Sequence, residues 1–122
     1  MRISSAESVI MEVLWRRAPV TSEDILAEVA QANAWSEGTV RTLINRLLNK
    51  QAIAAERDGR RYIYRPLVAR DDYVRDESRG FLDRLFDGRL SPLVTHFSEN
   101  GHLTDEDIAE LKALIAKVEN GR

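Results

Sequence analysis

Thr39, Arg41, Thr42, Asn45 and Arg46 fall within eight residues, and Arg57, Arg60 and Arg61 follow around Gly59. Hydroxyls, an amide and guanidinium groups are donors suited to phosphate oxygens and base edges of DNA, and a threonine methyl can meet the methyl of thymine. Residues 36–65 hold seven basic side chains against three acidic ones, although the net charge of the 122 residues is −2. A basic block on a mildly acidic chain points to a polyanion bound at one place. Two competing readings are a solvated charged surface and a module that binds protein and not DNA. Loss of binding with rising salt separates the last from a DNA reader.

Other chemistry finds little support. The chain has no cysteine, and its two histidines are His96 and His102. That excludes disulfides, thiolate metal sites and a zinc enzyme with several imidazole ligands. Ser91, His96 and an aspartate are the parts of a nucleophilic triad, but nothing like a nucleophile elbow surrounds Ser91. No catalytic residue, metal ligand or cofactor is therefore assigned. No apolar run approaches the roughly 20 residues of a membrane span, and the stretch from Met1 to Glu7 has no apolar core of a secretory leader. With cysteine absent, these features suggest a cytoplasmic protein.

The elements that must position the donors can be read from periodicity. Ser4 and Glu7 have the spacing of a capping box, and Ile10, Val13 and Leu14 continue a first helix that should stop at Ala18-Pro19. Thr21 or Ser22 caps a second helix with Ile25, Leu26, Val29 and Ala30 inward, and Gln31–Trp35 reads as a turn. Ser36 caps a third, with Val40, Leu43, Ile44, Leu47 and Leu48 on one stripe. At about 100° per residue, Gly38, Thr42, Asn45 and Asn49 lie opposite that stripe; Thr39 and Arg46 take one flank and Arg41 the other. The period then shortens, and residues 53–56 and 61–65 flank Arg57-Asp58-Gly59-Arg60, a two-stranded hairpin that Pro66 ends. Three helices followed by a hairpin is a winged helix-turn-helix, in which the third helix enters the major groove and the hairpin tip grips the backbone or minor groove.

Residues 68–122 carry 8 basic and 12 acidic side chains and read as three more helices. One begins near Asp71 or Asp72 and stops at Gly88. A short one opens with Ser91 as cap and Pro92 in first position, and the last is capped by Thr104 and Asp107 with Leu103 stapled on Ile108. Phe81, Leu85, Leu93, Phe97, Leu111, Leu114 and Ile115 form apolar stripes on a unit whose size lets it bury only about 60% of its surface. A second copy would cover them, so a homodimer is expected, with two third helices spaced for paired half-sites. The expected fold class is thus mainly α: a winged-helix DNA-binding domain over 1–67 and a three-helix dimerisation domain over 68–122.

Several stretches are also familiar as sequence. Ile3-Ser4-x-Ala6-Glu7, Val13-Leu14-Trp15, Pro19-Val20-Thr21, Trp35-Ser36-x-x-Thr39-Val40-Arg41-Thr42-Leu43-x-x-Arg46-Leu47 and Leu93-Val94-x-x-Phe97 resemble the penicillinase repressor family over essentially the whole chain. The resemblance implies a dimeric winged-helix repressor on dyad operators with TACA/TGTA-like half-sites, with Thr39, Arg41, Thr42 and Arg46 in the DNA-reading segment. It also implies control of β-lactam-resistance, transporter or protease genes, and an inducing protease as partner. In the β-lactam-responsive branch that protease cuts an Asn–Phe bond of the carboxyl-terminal domain. The matching bond is His96–Phe97, which carries histidine where the family usually has asparagine. The copper-responsive branch binds metal through a carboxyl-terminal cysteine cluster, which this chain lacks.

Overall fold

The computed structural model describes residues 2–121; Met1, where the leader reading begins, and Arg122 lie outside the described residues. The elements run α1 (Ser5–Arg17), β1 (Val20–Thr21), α2 (Ser22–Asn33), α3 (Glu37–Asn49), β2 (Ile53–Asp58), β3 (Arg61–Pro66), α4 (Arg70–Phe86), α5 (Leu90–Glu99) and α6 (Asp105–Asn120). They form two compact units, one through Val74 and one from Arg75 on. The expected boundary after residue 67 falls short of this one. Trp15 Nε1 donates to the Val68 carbonyl at 2.8 Å and its ring lies 5.4 Å from Tyr73, which fastens the start of α4 to the first unit.

Local chemistry sets the helix starts of the first unit. Ser4 Oγ accepts from the Glu7 N–H while the Glu7 carboxylate accepts from the Ser4 N–H, and Thr21 and Asp24 repeat that reciprocal cap on α2. Each such cap satisfies donors that have no partner within the helix, worth about 1 kcal/mol. The turn expected over Gln31–Trp35 is shorter: α2 continues to Asn33, and Ala34 in the left-handed region (φ 56°) ends it. There the Ala34 and Trp35 N–H groups bond back to Gln31 and Ala30.

The sheet has one strand more than the hairpin. Its order is β1-β3-β2, all antiparallel, with Val20 paired to Tyr64 and Thr21 to Ile63. The hairpin itself closes through Gly59 and Arg60 with Asp58 paired to Arg61. Gly59, at φ 66°, supplies the positive angle that a two-residue turn of this kind needs at its first central position. Asp58 belongs to the strand and not to the turn.

The core is continuous across these elements. Ile10, Met11, Val13 and Leu14 of α1 pack with Val20, Ile25, Val29, Val40, Leu43, Ile44, Leu47 and Ile53, all at most 4% exposed. Trp15 and Trp35 are half-buried against this cluster, as packing and not as exposed stacking platforms.

The second unit is built differently. α4 opens at Arg70, one residue before the predicted start, and Gly88 at φ 74° follows its end. α5 starts at Leu90 with Arg89 as N-cap and no side-chain cap, so Ser91 is not its cap and Pro92 is its third residue. Proline fits there because first-turn N–H groups have no intrahelical acceptor. α6 has the Thr104–Asp107 capping box. None of α4, α5 or α6 has a fully buried residue among those described. No helix among the described residues is long and apolar enough to cross a membrane.

Candidate nucleic-acid interface

α3 is anchored from behind by Val40, Leu43, Ile44 and Leu47, and its other side is open: Gly38, Thr39, Arg41, Thr42, Asn45 and Arg46 are all exposed. The 3.6-residue period alone produces this division, since the apolar and polar sets recur out of phase on one helix. A Cβ built on Gly38 would meet Ser36 Oγ at 3.8 Å and nothing nearer, so the fold itself does not need glycine there.

The donors differ in how far they are already engaged. Thr39 shares a 3.1 Å hydrogen bond between its hydroxyl and Ser36 Oγ, and the Thr42 hydroxyl donates to the Gly38 carbonyl at 2.9 Å. Both residues nonetheless remain exposed. Arg41 Nη2 is paired with Glu37 Oε1, one turn earlier, at 2.9 Å. The side chains of Arg46 and Asn45 have no hydrogen-bond or charged partner among the described residues. Such side chains can be drawn to a base edge or phosphate without first breaking a bond of the protein.

The wing repeats the pattern. Arg57 Nε donates to the Gly59 carbonyl at 3.1 Å and its guanidinium lies 5.9 Å from the Tyr62 ring centroid. Arg61 is 3.6 Å from Asp58, whereas the Arg60 side chain, at the tip, has no partner among the described residues. Arg65 is paired with Glu56 at 3.3 Å. Exposed pairs of this sort contribute little to stability, about 0–1 kcal/mol, so they yield readily to a polyanion.

Two ionic arrangements in the first unit, one at the end of α3 and one between α1 and α2, were not visible in the spacing of the chain. Glu7, 1% exposed, accepts from the Ser4 N–H and from Lys50 Nζ, whose residue caps the end of α3. Burial pushes the Glu7 carboxyl up, but the bonds from Lys50 and Ser4 outweigh it and hold the group below the ordinary carboxylate value. Glu28 of α2 accepts from Arg16 and Arg17 of α1, and these bonds lower its carboxyl to about 2. A capping box announces half of the first role of Glu7; its partner 43 residues on left no local signal.

In the second unit, Phe81, Leu85, Phe97, Leu114 and Ile115 are exposed, and Leu93 and Leu111 half-buried. His96 and Phe97 lie within α5, their rings 5.6 Å apart, with Phe86 at 6.5 Å from His96 and His102 at 5.8 Å from Phe97. Ser91 Oγ accepts from Arg89 at 3.5 Å and has no bond to His96. Among the described residues no three His, Cys, Asp or Glu side chains are grouped to hold a metal ion.

Comparison with known proteins agrees with this architecture. A sequence model described as penicillinase repressor matches residues 3–117. The penicillinase repressor of Bacillus licheniformis is 32% identical over 98% of this chain and 93% of its own length. The methicillin resistance regulatory protein MecI of Staphylococcus aureus is 32% identical over 94% of each chain. The chain also matches the solution structure of monomeric Bacillus licheniformis BlaI in complex with the blaP half-operator. There the TM-score is 0.54 at 30% identity, covering 60% of this chain and 89% of that one.

Proposed function

The chain belongs to the penicillinase repressor family and is a DNA-binding transcriptional repressor, not an enzyme; on that premise we propose that it acts as a homodimer in the cytoplasm, reading a dyad operator through α3 and the wing. One observation carries the proposal. α3 is fixed by a buried apolar stripe while Asn45 and Arg46 on its open face are uncommitted. Arg46 suits bidentate donation to a guanine edge, Asn45 an adenine edge, and Thr39 and Thr42 phosphate or a thymine methyl. Arg57, Arg60 and Arg61 would hold backbone beside the half-site. The exposed apolar side chains of α4, α5 and α6 supply the dimer surface, which pairs two reading helices.

A cut at His96–Phe97 would then act on affinity and not on base reading. It divides α5 and severs α6 from α4, so the severed segments carry their ordering entropy without a covalent link. A dimer loosened this way loses the effective concentration that joins two half-sites. Regulated genes of the β-lactam-resistance, transporter or protease kind follow from the same family reading.

The test is a mobility shift with a TACA/TGTA dyad duplex and a scrambled one, together with light scattering of the complex. Selective binding that weakens with salt, at two chains per duplex, is expected. Binding equal on both duplexes and insensitive to salt would favour a protein-binding winged helix instead.

A further inference from the structure

Beside the reading face lies a cleft of about 230 Å3 lined by Ser22, Arg41, Ile44, Asn45 and Tyr64. Three elements bring these residues together. The pairing of β1 with β3 sets Val20 opposite Tyr64, and α2 begins two residues after Val20, at Ser22. From the other side α3 presents Arg41 and Asn45, one helical turn apart, with Ile44 (3% exposed) between them as an apolar floor. No carboxylate lines the cleft. The Ser22 and Tyr64 hydroxyls and the Asn45 amide have no hydrogen-bond partner within the described chain, and Arg41 spends one N–H on Glu37 and keeps the rest. Neutral donors around a single cation, above an apolar floor, match a singly charged tetrahedral oxyanion rather than a base edge.

We propose that this cleft seats one phosphodiester of the operator backbone, with Arg41 supplying the charge and Ser22 and Tyr64 the hydroxyl donors. The proposal rests on the DNA-binding reading and divides labour within it. Arg41, though it stands on the reading helix, sets affinity and salt dependence, while Arg46 sets sequence choice. Ser22 and Tyr64 join the interface as positioning contacts that fix how deep α3 sits in the groove.

Full-length wild type, Arg41→Gln, Ser22→Ala and Tyr64→Phe are titrated by fluorescence anisotropy onto the TACA/TGTA dyad and the scrambled duplex at several salt concentrations. Thermal melts confirm that each variant folds. Arg41→Gln is expected to lose roughly tenfold in affinity on both duplexes, with a log–log salt slope shallower by about one. Ser22→Ala and Tyr64→Phe should each lose about three- to tenfold on both, leaving the ratio between duplexes unchanged. A single neutral methylphosphonate at the contacted position should abolish the difference between wild type and Tyr64→Phe. Folded variants with wild-type affinity and slope, or a loss confined to the operator, would overturn the clamp and leave the DNA reading standing. Amide shifts at Ser22 and Tyr64 on adding inorganic phosphate, with DNA affinity untouched by the variants, would assign the cleft to a free anion and also overturn it. A wild type with no operator preference at any salt would overturn both readings.

Discussion

The two units treat their apolar side chains in opposite ways. In the first, Ile10, Met11, Leu14, Ile25 and Leu47 are at most 1% exposed, and three helices and a sheet share one core. In the second, Leu85 is 62% exposed, Leu90 61%, and Leu114 and Ile115 56% each. At about 25 cal/mol per Å2, leaving such side chains in water forfeits much of what folding could gain. The first unit has a finished interior; the second has stripes that a second copy would finish. The first unit thus draws its stability from its own core, and in the proposed homodimer the faces of α4, α5 and α6 would pair two such units.

The strongest way to break this contrast is to open the finished core. Leu47→Ala should cost about 2–5 kcal/mol, because it removes a fully buried side chain of α3 from the core. Urea unfolding followed by tryptophan fluorescence measures it, since Trp15 and Trp35 both pack on that core. A cost below about 1 kcal/mol would mean the core is less closed than described. The matching change in the second unit, Leu114→Asp, should leave that tryptophan signal in place but convert the dimer to monomer in sedimentation. A Leu114→Asp protein that stays dimeric would remove this part of α6 from the pairing surface.

Acid provides a smaller and more graded test. Glu7 and Glu28 both have carboxyls held below their ordinary value, Glu28 to about 2. A depressed carboxyl contributes stability that is present above the unfolded-state value, near 4.5, and is lost as pH falls toward the folded one. The first unit should therefore weaken between about pH 4.5 and 2, and Glu28→Gln should flatten that part of the curve. Thermal melts across the range check it; an unchanged slope in Glu28→Gln would show that its pairs with Arg16 and Arg17 carry no linkage.

What the chain discloses about itself follows the same division between local and distant causes. α3 was legible because Val40, Leu43, Ile44 and Leu47 repeat at helical spacing between a serine cap and a change of period. β1 was not, since two residues have no period and their pairing with β3 spans more than forty positions. Ser91-Pro92 resembles a cap and first residue, but proline marks a first turn and not a particular position in it. The polar face of α3 could be drawn from spacing alone, whereas the cleft of Ser22, Arg41 and Tyr64 needs the β1–β3 register to exist at all. Lys50 likewise counted only as one basic residue among seven until the fold brought it to Glu7.

If the open face of α3 selects DNA sequence, as proposed, Arg46 is the residue whose loss shows it best. Anisotropy titrations of wild type and Arg46→Ala onto the TACA/TGTA dyad and a scrambled duplex, at one fixed salt concentration, give the ratio of the two affinities for each protein. Arg46→Ala should lose about 1–3 kcal/mol on the dyad and far less on the scrambled duplex, so that the ratio collapses. An Arg46→Ala protein that keeps the wild-type ratio would contradict the claim.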